Sequence, residues 1–115
     1  MYLCVAKRKN HEYMPSKEVQ KMIPKIQRYF ATQPIERAYL FGSCSRGEET
    51  RDSDVDLLVT YTDSDKLSLL TICHIMNELS DQLGRTVDLV EERGLLPFAV
   101  PSVNKDKMLI YERAN

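Results

Sequence analysis

The segment from residue 41 to residue 59, FGSCSRGEETRDSDVDLLV, carries the residues whose types and spacing could do chemistry. Ten residues separate the pair Gly42-Ser43 from two aspartates, Asp54 and Asp56. If the aspartates lie in a strand, they share one face and stand about 6.5 to 7 Å apart along the backbone. Like charges on one face repel, so the pair needs a positive charge between its members. A divalent cation such as Mg²⁺ would supply it.

The Gly-Ser half of the segment suits a phosphate. Gly42 lacks a Cβ, so the backbone can turn sharply there and approach a ligand closely. Ser43 leads into a predicted helical turn over residues 44–47, whose free N–H groups and positive dipole end attract anions. Arg46 and Arg51 are candidates for neutralising phosphate charge, although arginine in a polar loop is usually only solvated. The whole segment predicts a site for a nucleoside triphosphate held with magnesium.

Strands and a helix must position these residues. A strand over about residues 35–41 precedes the corner, and the apolar run after Asp54 predicts a second strand over 54–61. That run argues against the alternative of a solvated loop in which Asp54 only caps the next element. A third strand, predicted over 85–91, places Asp88 on the face opposite Val87 and Leu89. The alternative is that Asp88 is only an aspartate at an exposed sheet edge.

Two amphipathic helices complete the predicted pattern. The first begins after Ser16 as N-cap, and Pro24 should kink it or split it in two. Its apolar stripe is Val19, Met22, Ile23, Ile26, Tyr29 and Phe30. The second is capped by residues 63–65 and ends at Gly84. Its stripe is Leu69, Ile72, Cys73, Met76, Leu79 and Leu83.

The two ends of the chain are less regular. The tail predicts a short helix opened by Pro97 and interrupted near Pro101, then a terminal strand over residues 108–111. Residues 1–15 could be an edge strand or a loosely attached arm, and residues 16–115 are expected to form a single domain. Strands that alternate with helices predict an α/β (α+β) fold, with a small mixed β-sheet flanked by helices.

Composition limits the function. A chain of 115 residues is one domain with a modest core, too small to add a separate acceptor-binding domain. Its 16 Lys plus Arg against 17 Asp plus Glu give a net charge of −1, so no global basic field recruits nucleic acid. Three cysteines fit neither a disulfide framework nor a zinc site, and a cytoplasmic location is expected. No apolar run approaches the roughly 18 residues of a membrane span.

The segment GSCSRGEETRDSDVDLLV resembles the signature of the polymerase-beta-type nucleotidyltransferase superfamily, and specifically its minimal nucleotidyltransferases. The likeness covers about residues 26–111. It departs from the family at Ser45, where a small apolar residue is more usual. The resemblance implies the family fold and implies that Asp88 completes a catalytic, metal-binding triad with Asp54 and Asp56.

The resemblance also implies a reaction. Family members of this size use ATP with Mg²⁺, and many pair with a helical HEPN-type toxin whose tyrosine they adenylylate as its antitoxin. Because the chain is too small to enclose an acceptor, the acceptor hydroxyl is expected to come from another molecule. Two alternatives stay open, namely adenylylation of an aminoglycoside and a non-catalytic antitoxin that acts by binding alone.

Overall fold

In the part of the chain that the structure describes, a four-stranded mixed β-sheet has helices packed against it. The computed structural model describes residues 15–48, 50, 53–62, 67–94, 97 and 100–114. The elements are α1 (Lys17–Phe30), β1 (Ile35–Phe41), α2 (Ser43–Arg46), β2 (Val55–Tyr61), α3 (Leu69–Leu83), β3 (Val87–Glu91), a 3₁₀ turn (Glu92–Gly94), α4 (Val100–Asp106) and β4 (Met108–Glu112). This architecture confirms the predicted fold class.

The strand order is β3-β2-β1-β4. Strand β1 pairs antiparallel with both β2 and β4, whereas β2 and β3 are parallel. Parallel neighbours need a long crossover connection, and α3 supplies it. One face of the sheet packs against α1 and α3 to form the main core, which includes Val55, Leu57 and Val59 of β2.

Helix α1 begins as predicted. The side chain of Ser16 accepts a hydrogen bond from the backbone N–H of Val19 at 3.2 Å, and the six residues of the predicted stripe are all buried. The prediction that Pro24 splits the helix is wrong, since one helix runs from Lys17 to Phe30. Pro24 lies on the exposed face. Burial of the opposite face stabilises the turns on both sides of it.

Helix α3 begins later than predicted. Ser68 is its N-cap and accepts a hydrogen bond from the N–H of Thr71 at 3.1 Å, whereas the predicted cap at 63–65 lies outside the described residues. Ile75 and Leu79, one turn apart, are the buried residues. Leu69 was predicted in the core stripe but is 75% exposed, because it lies in the first turn of the helix. Gly84 adopts the predicted left-handed C-cap conformation, with φ of 69°.

The tail also differs from the prediction. Pro101 does not interrupt a helix but lies in the first turn of α4, where a missing N–H costs no hydrogen bond. The tail helix was expected to open at Pro97, and the structure describes it as α4, which begins at Val100. The terminal strand is confirmed as β4. The arm predicted for residues 1–15 falls almost entirely outside the described residues. Of the helices that the structure describes, none is both long enough and apolar enough to cross a membrane.

Candidate active site

Gly42 forms a sharp corner between β1 and α2. Its φ of 75° and ψ of −157° are accessible to glycine and strained for other residues. A Cβ at this position would lie 2.7 Å from Oδ2 of Asp56, so only glycine lets the backbone approach that carboxylate so closely. The corner and the second predicted aspartate therefore lie in direct contact.

The corner is held from within α2. The carbonyl of Gly42 accepts two hydrogen bonds from Ser45, one from its N–H at 3.1 Å and one from its hydroxyl at 2.8 Å. Ser45 is fully buried, and this contact satisfies the hydroxyl that a small apolar residue would lack. Gly47, with φ of 73°, then ends the turn that begins at Ser43.

The three aspartates reach the same end of the sheet. Asp56 is opposite Phe41, the residue before the corner, and Asp88 is the partner of Asp56 on the adjacent parallel strand. Paired residues of neighbouring strands point to the same face, so Asp56 and Asp88 lie side by side on the face away from α1 and α3. Asp54 is exposed immediately before β2. The predicted alternation of Val87, Asp88 and Leu89 is also observed.

These carboxylates interact electrostatically. Burial and, to a smaller extent, the negative charges of Asp88 and Asp54 together raise the pKa of Asp56 to about 6. Such an unneutralised acidic cluster suits a divalent cation. Over the described part of the chain, however, no three acidic, histidine or cysteine side chains converge tightly enough to form a complete metal site. Mg²⁺ fits this arrangement, because it commonly uses one or two carboxylates and completes its coordination with phosphate oxygens and water.

Two residues without a predicted role, Cys44 and Arg85, hold the backbone at and before Asp54. The thiol of Cys44, fully buried in α2, donates a hydrogen bond to the carbonyl of Asp54 at 3.4 Å. The guanidinium of Arg85 donates to the carbonyl of Thr50 at 2.9 Å and to that of Ser53 at 3.4 Å. The sequence places Arg85 directly after Gly84 and just before the strand that carries Asp88. This position does not reveal which carbonyl groups the Arg85 side chain contacts.

The predicted arginines stay predictions. Arg46 provides the last residue of α2, and Arg51 lies outside the described residues. The Gly-Ser corner, by contrast, is placed beside Asp56 as the sequence analysis expected.

Comparisons with known proteins define the class. Residues 24–115 match the family model described as Polymerase beta, Nucleotidyltransferase, and the chain belongs to this family. A Methanocaldococcus jannaschii protein named "Putative protein adenylyltransferase" is 38% identical over 73 residues, which is 63% of this chain and 70% of that protein.

Two solved structures are similar in fold. A "putative minimal nucleotidyltransferase" is 32% identical with a TM-score of 0.67, over 82% of this chain and 94% of that one. A toxin-antitoxin complex with AMP-PNP contains a chain that is 26% identical with a TM-score of 0.67. The match covers 79% of this chain and 73% of that chain. These likenesses agree with the resemblance that the sequence motif carries.

Proposed function

We propose that this protein transfers AMP from ATP to a hydroxyl group of a partner protein. The observation that carries the proposal is the contact between the corner at Gly42 and the carboxylate of Asp56, with Asp88 on the next strand. A triphosphate seated at that corner lies directly beside the acidic residues. An adenylyl donor is supported by the AMP-PNP in the similar toxin-antitoxin structure.

The backbone at Gly42 and Ser43 would bind the triphosphate, and Arg46 and Arg51 would neutralise its charge. Asp54, Asp56 and Asp88 would hold two Mg²⁺ ions, and the metal would offset charge on the attacking and leaving oxygens. The raised pKa of Asp56 supports this assignment, because a cation would offset both causes of the shift, which are burial of the carboxylate and repulsion from Asp88 and Asp54.

The reaction is a displacement at the α-phosphorus. The acceptor oxygen forms a bond to that phosphorus while the bond to the bridging oxygen of the β-phosphate breaks, and pyrophosphate leaves. The proton of the acceptor hydroxyl passes to a nearby base. We assign this role to Asp88, and its exposure on the open face beside Asp56 supports the assignment.

We infer that the acceptor is a protein side chain. The curated relative is named as a protein adenylyltransferase, and the similar solved structure is a toxin-antitoxin complex. In the minimal nucleotidyltransferases that the motif resembles, the acceptor is a tyrosine of a HEPN-type toxin. We therefore propose a toxin of this class as the partner and a cytoplasmic setting for the reaction.

The experiment combines purified protein, Mg²⁺ and each labelled nucleoside triphosphate, with and without the product of the neighbouring gene. Label from ATP on a tyrosine of that product supports the proposal. Label on an added aminoglycoside, or no label on the product with any nucleotide, contradicts it.

A second measurement separates transfer from simple binding. The double variant Asp54→Asn with Asp56→Asn should lose protection against the partner's toxicity while still forming the complex. If it still protects cells fully, the protein neutralises its partner by binding alone.

A further inference from the structure

Arg85 is an almost buried cation close to the acidic site. Its side chain is 8% exposed, and it lies between the end of α3 and the start of β3. A guanidinium group stays charged in a protein, so a buried arginine must be surrounded by acceptors. The acceptor groups around Arg85 therefore determine where its guanidinium group lies.

The acceptors of Arg85 belong to two different parts of the chain. Nη1 donates to the carbonyl oxygens of Thr50 and Ser53, and Nη2 forms an ion pair with Glu18 of α1 at 3.3 Å. The side chain of Glu18 is 67% exposed, so water screens this ion pair. The carbonyl contacts are the more specific ones, because the planar group reaches two acceptors at once.

Thr50 and Ser53, whose carbonyl oxygens bind Arg85, both precede Asp54 in the chain. The carbonyl of Thr50 also accepts the N–H of Ser53 at 3.1 Å, and the N–H of Thr50 donates to the Ser53 hydroxyl at 2.8 Å. On the other side of Asp54, the N–H of Val55 donates to the carbonyl of Thr86 at 2.8 Å. The segment that carries Asp54 is therefore fastened to the residues that begin the Asp88 strand.

We propose that Arg85 is a positioning residue that sets the location of Asp54 relative to Asp88. Its hydrogen bonds and ion pair are with residues before Asp54 and with Glu18, and Arg85 itself directly precedes the strand that carries Asp88. This inference rests on the proposed function. A displacement of about 1 Å at a catalytic group can cost about 100-fold in rate, so loss of this connection should be visible in kinetics.

The test compares Arg85→Gln with Glu18→Gln. The first variant removes the contacts to both carbonyls and the ion pair, whereas the second removes the ion pair alone. At a temperature where both variants are fully folded, Arg85→Gln should lower kcat by about 10- to 100-fold and change KM for ATP less than about threefold. Glu18→Gln should retain wild-type kcat.

The rate of amide hydrogen exchange at Ser53 reports directly on the hydrogen bond from its N–H to the carbonyl of Thr50. Exchange should accelerate at least about tenfold in Arg85→Gln and remain unchanged in Glu18→Gln, because local opening controls the exchange rate. Equal effects of the two variants, or an Arg85→Gln protein with wild-type kcat and exchange, would overturn the proposal. In that case Arg85 serves only the stability of the fold.

A third readout keeps this proposal separate from the transferase itself. If the wild-type protein transfers nothing, the proposed function fails, and Mn²⁺ binding then decides the role of Arg85. Affinity about tenfold weaker in Arg85→Gln than in Glu18→Gln supports positioning, because a misplaced carboxylate costs metal affinity. Equal affinity in the two variants overturns it.

Discussion

The two faces of the β-sheet differ in what they contribute. On the face packed against α1 and α3, Val55, Leu57 and Val59 of β2 are at most 1% exposed. On the opposite face the same strand carries Asp56, whose pKa is raised by burial and by neighbouring carboxylates. The first face stabilises the fold, and the second carries a charge cluster that opposes folding. Burial of apolar side chains on the first face therefore offsets the unfavourable free energy of the charge cluster on the second face.

The largest effect should come from the acidic face. Replacing Asp56 or Asp88 with asparagine removes a carboxylate from the proposed metal site and should lower transfer by about 100-fold or more. The measurement is the initial rate of label transfer to the partner. Asp81→Asn, at an exposed position of α3, is the matched control and should retain activity. Equal activity in all three variants would show that the acidic face has no catalytic role.

The apolar face should respond in stability instead. Leu79→Ala creates a cavity at a fully buried position and should lower the free energy of unfolding by about 3 kcal/mol. Leu70→Ala, at a position 82% exposed, should change it by less than about 0.5 kcal/mol. Urea denaturation measures both. A similar loss in the two variants would contradict the assignment of α3 to the core.

The corner joins the two faces, and two glycines separate its effects. Gly42→Ala adds both backbone strain and a clash with Asp56, whereas Gly84→Ala adds backbone strain at a similar φ of 69° with no atom within 4 Å of the new Cβ. Backbone strain should lower the free energy of unfolding by about 1 kcal/mol in each variant. The clash with Asp56 should lower it by about 1 to 2 kcal/mol more in Gly42→Ala.

Transfer activity provides the second readout for this pair. Gly42→Ala should also lower activity at least about tenfold, because the clash displaces the Asp56 carboxylate from the corner. Gly84→Ala should be active. Equal losses of stability and activity in the two variants would show that the approach of Gly42 to Asp56 is unimportant.

The smallest predicted effect is a gain in stability on the acidic face. The pKa of Asp56 rises from 3.8 in the unfolded chain to about 6 in the folded protein, so its carboxyl is neutral in both states only well below pH 3.8. As the pH rises from 3.8 to about 6, the unfolded chain ionises this group more readily than the folded protein does, and the folded protein loses stability until the loss levels off above 6. Without Mg²⁺, Asp56→Asn should therefore be more stable than the wild type at pH 7.5 by about 1 to 2 kcal/mol, after allowing for solvent screening.

Urea denaturation at two pH values checks this result. The difference in unfolding free energy between the wild type and Asp56→Asn should largely disappear below about pH 3, where the Asp56 carboxyl is mostly protonated in both the folded and unfolded states. Saturating Mg²⁺ should narrow the difference at pH 7.5, since a bound cation stabilises the ionised form. A wild-type protein that is more stable than Asp56→Asn at pH 7.5 without metal would contradict the electrostatic account.

Local patterns predicted most of the elements. The alternation of Val87, Asp88 and Leu89 follows from a period of two, which the strand carries in its own residues. The strand predicted over residues 35–41 is confirmed as β1, although its burial pattern is irregular near Ile35, where the register with β2 shifts. The cap at Ser16 and the left-handed Gly84 are likewise local. Predictions failed where distant packing decides the result. Pro24 does not divide α1 into two helices, because burial of the apolar stripe stabilises the turns on both sides of it. Leu69 is exposed, although it continues the apolar spacing of α3.

The amino-acid order alone determined the chemistry that this chain can offer. The spacing of Gly42, Ser43, Asp54 and Asp56 is carried by one short segment of the sequence. Strand alternation predicted that both aspartates share a face, although Asp54 lies just before β2 and not within it. Tertiary structure decided which groups meet. The parallel pairing of Asp56 with Asp88, the contact of Gly42 with Asp56 and the reach of Arg85 to Thr50 join residues far apart in the chain. Such contacts depend on how the sheet and α3 pack together, which no local pattern encodes.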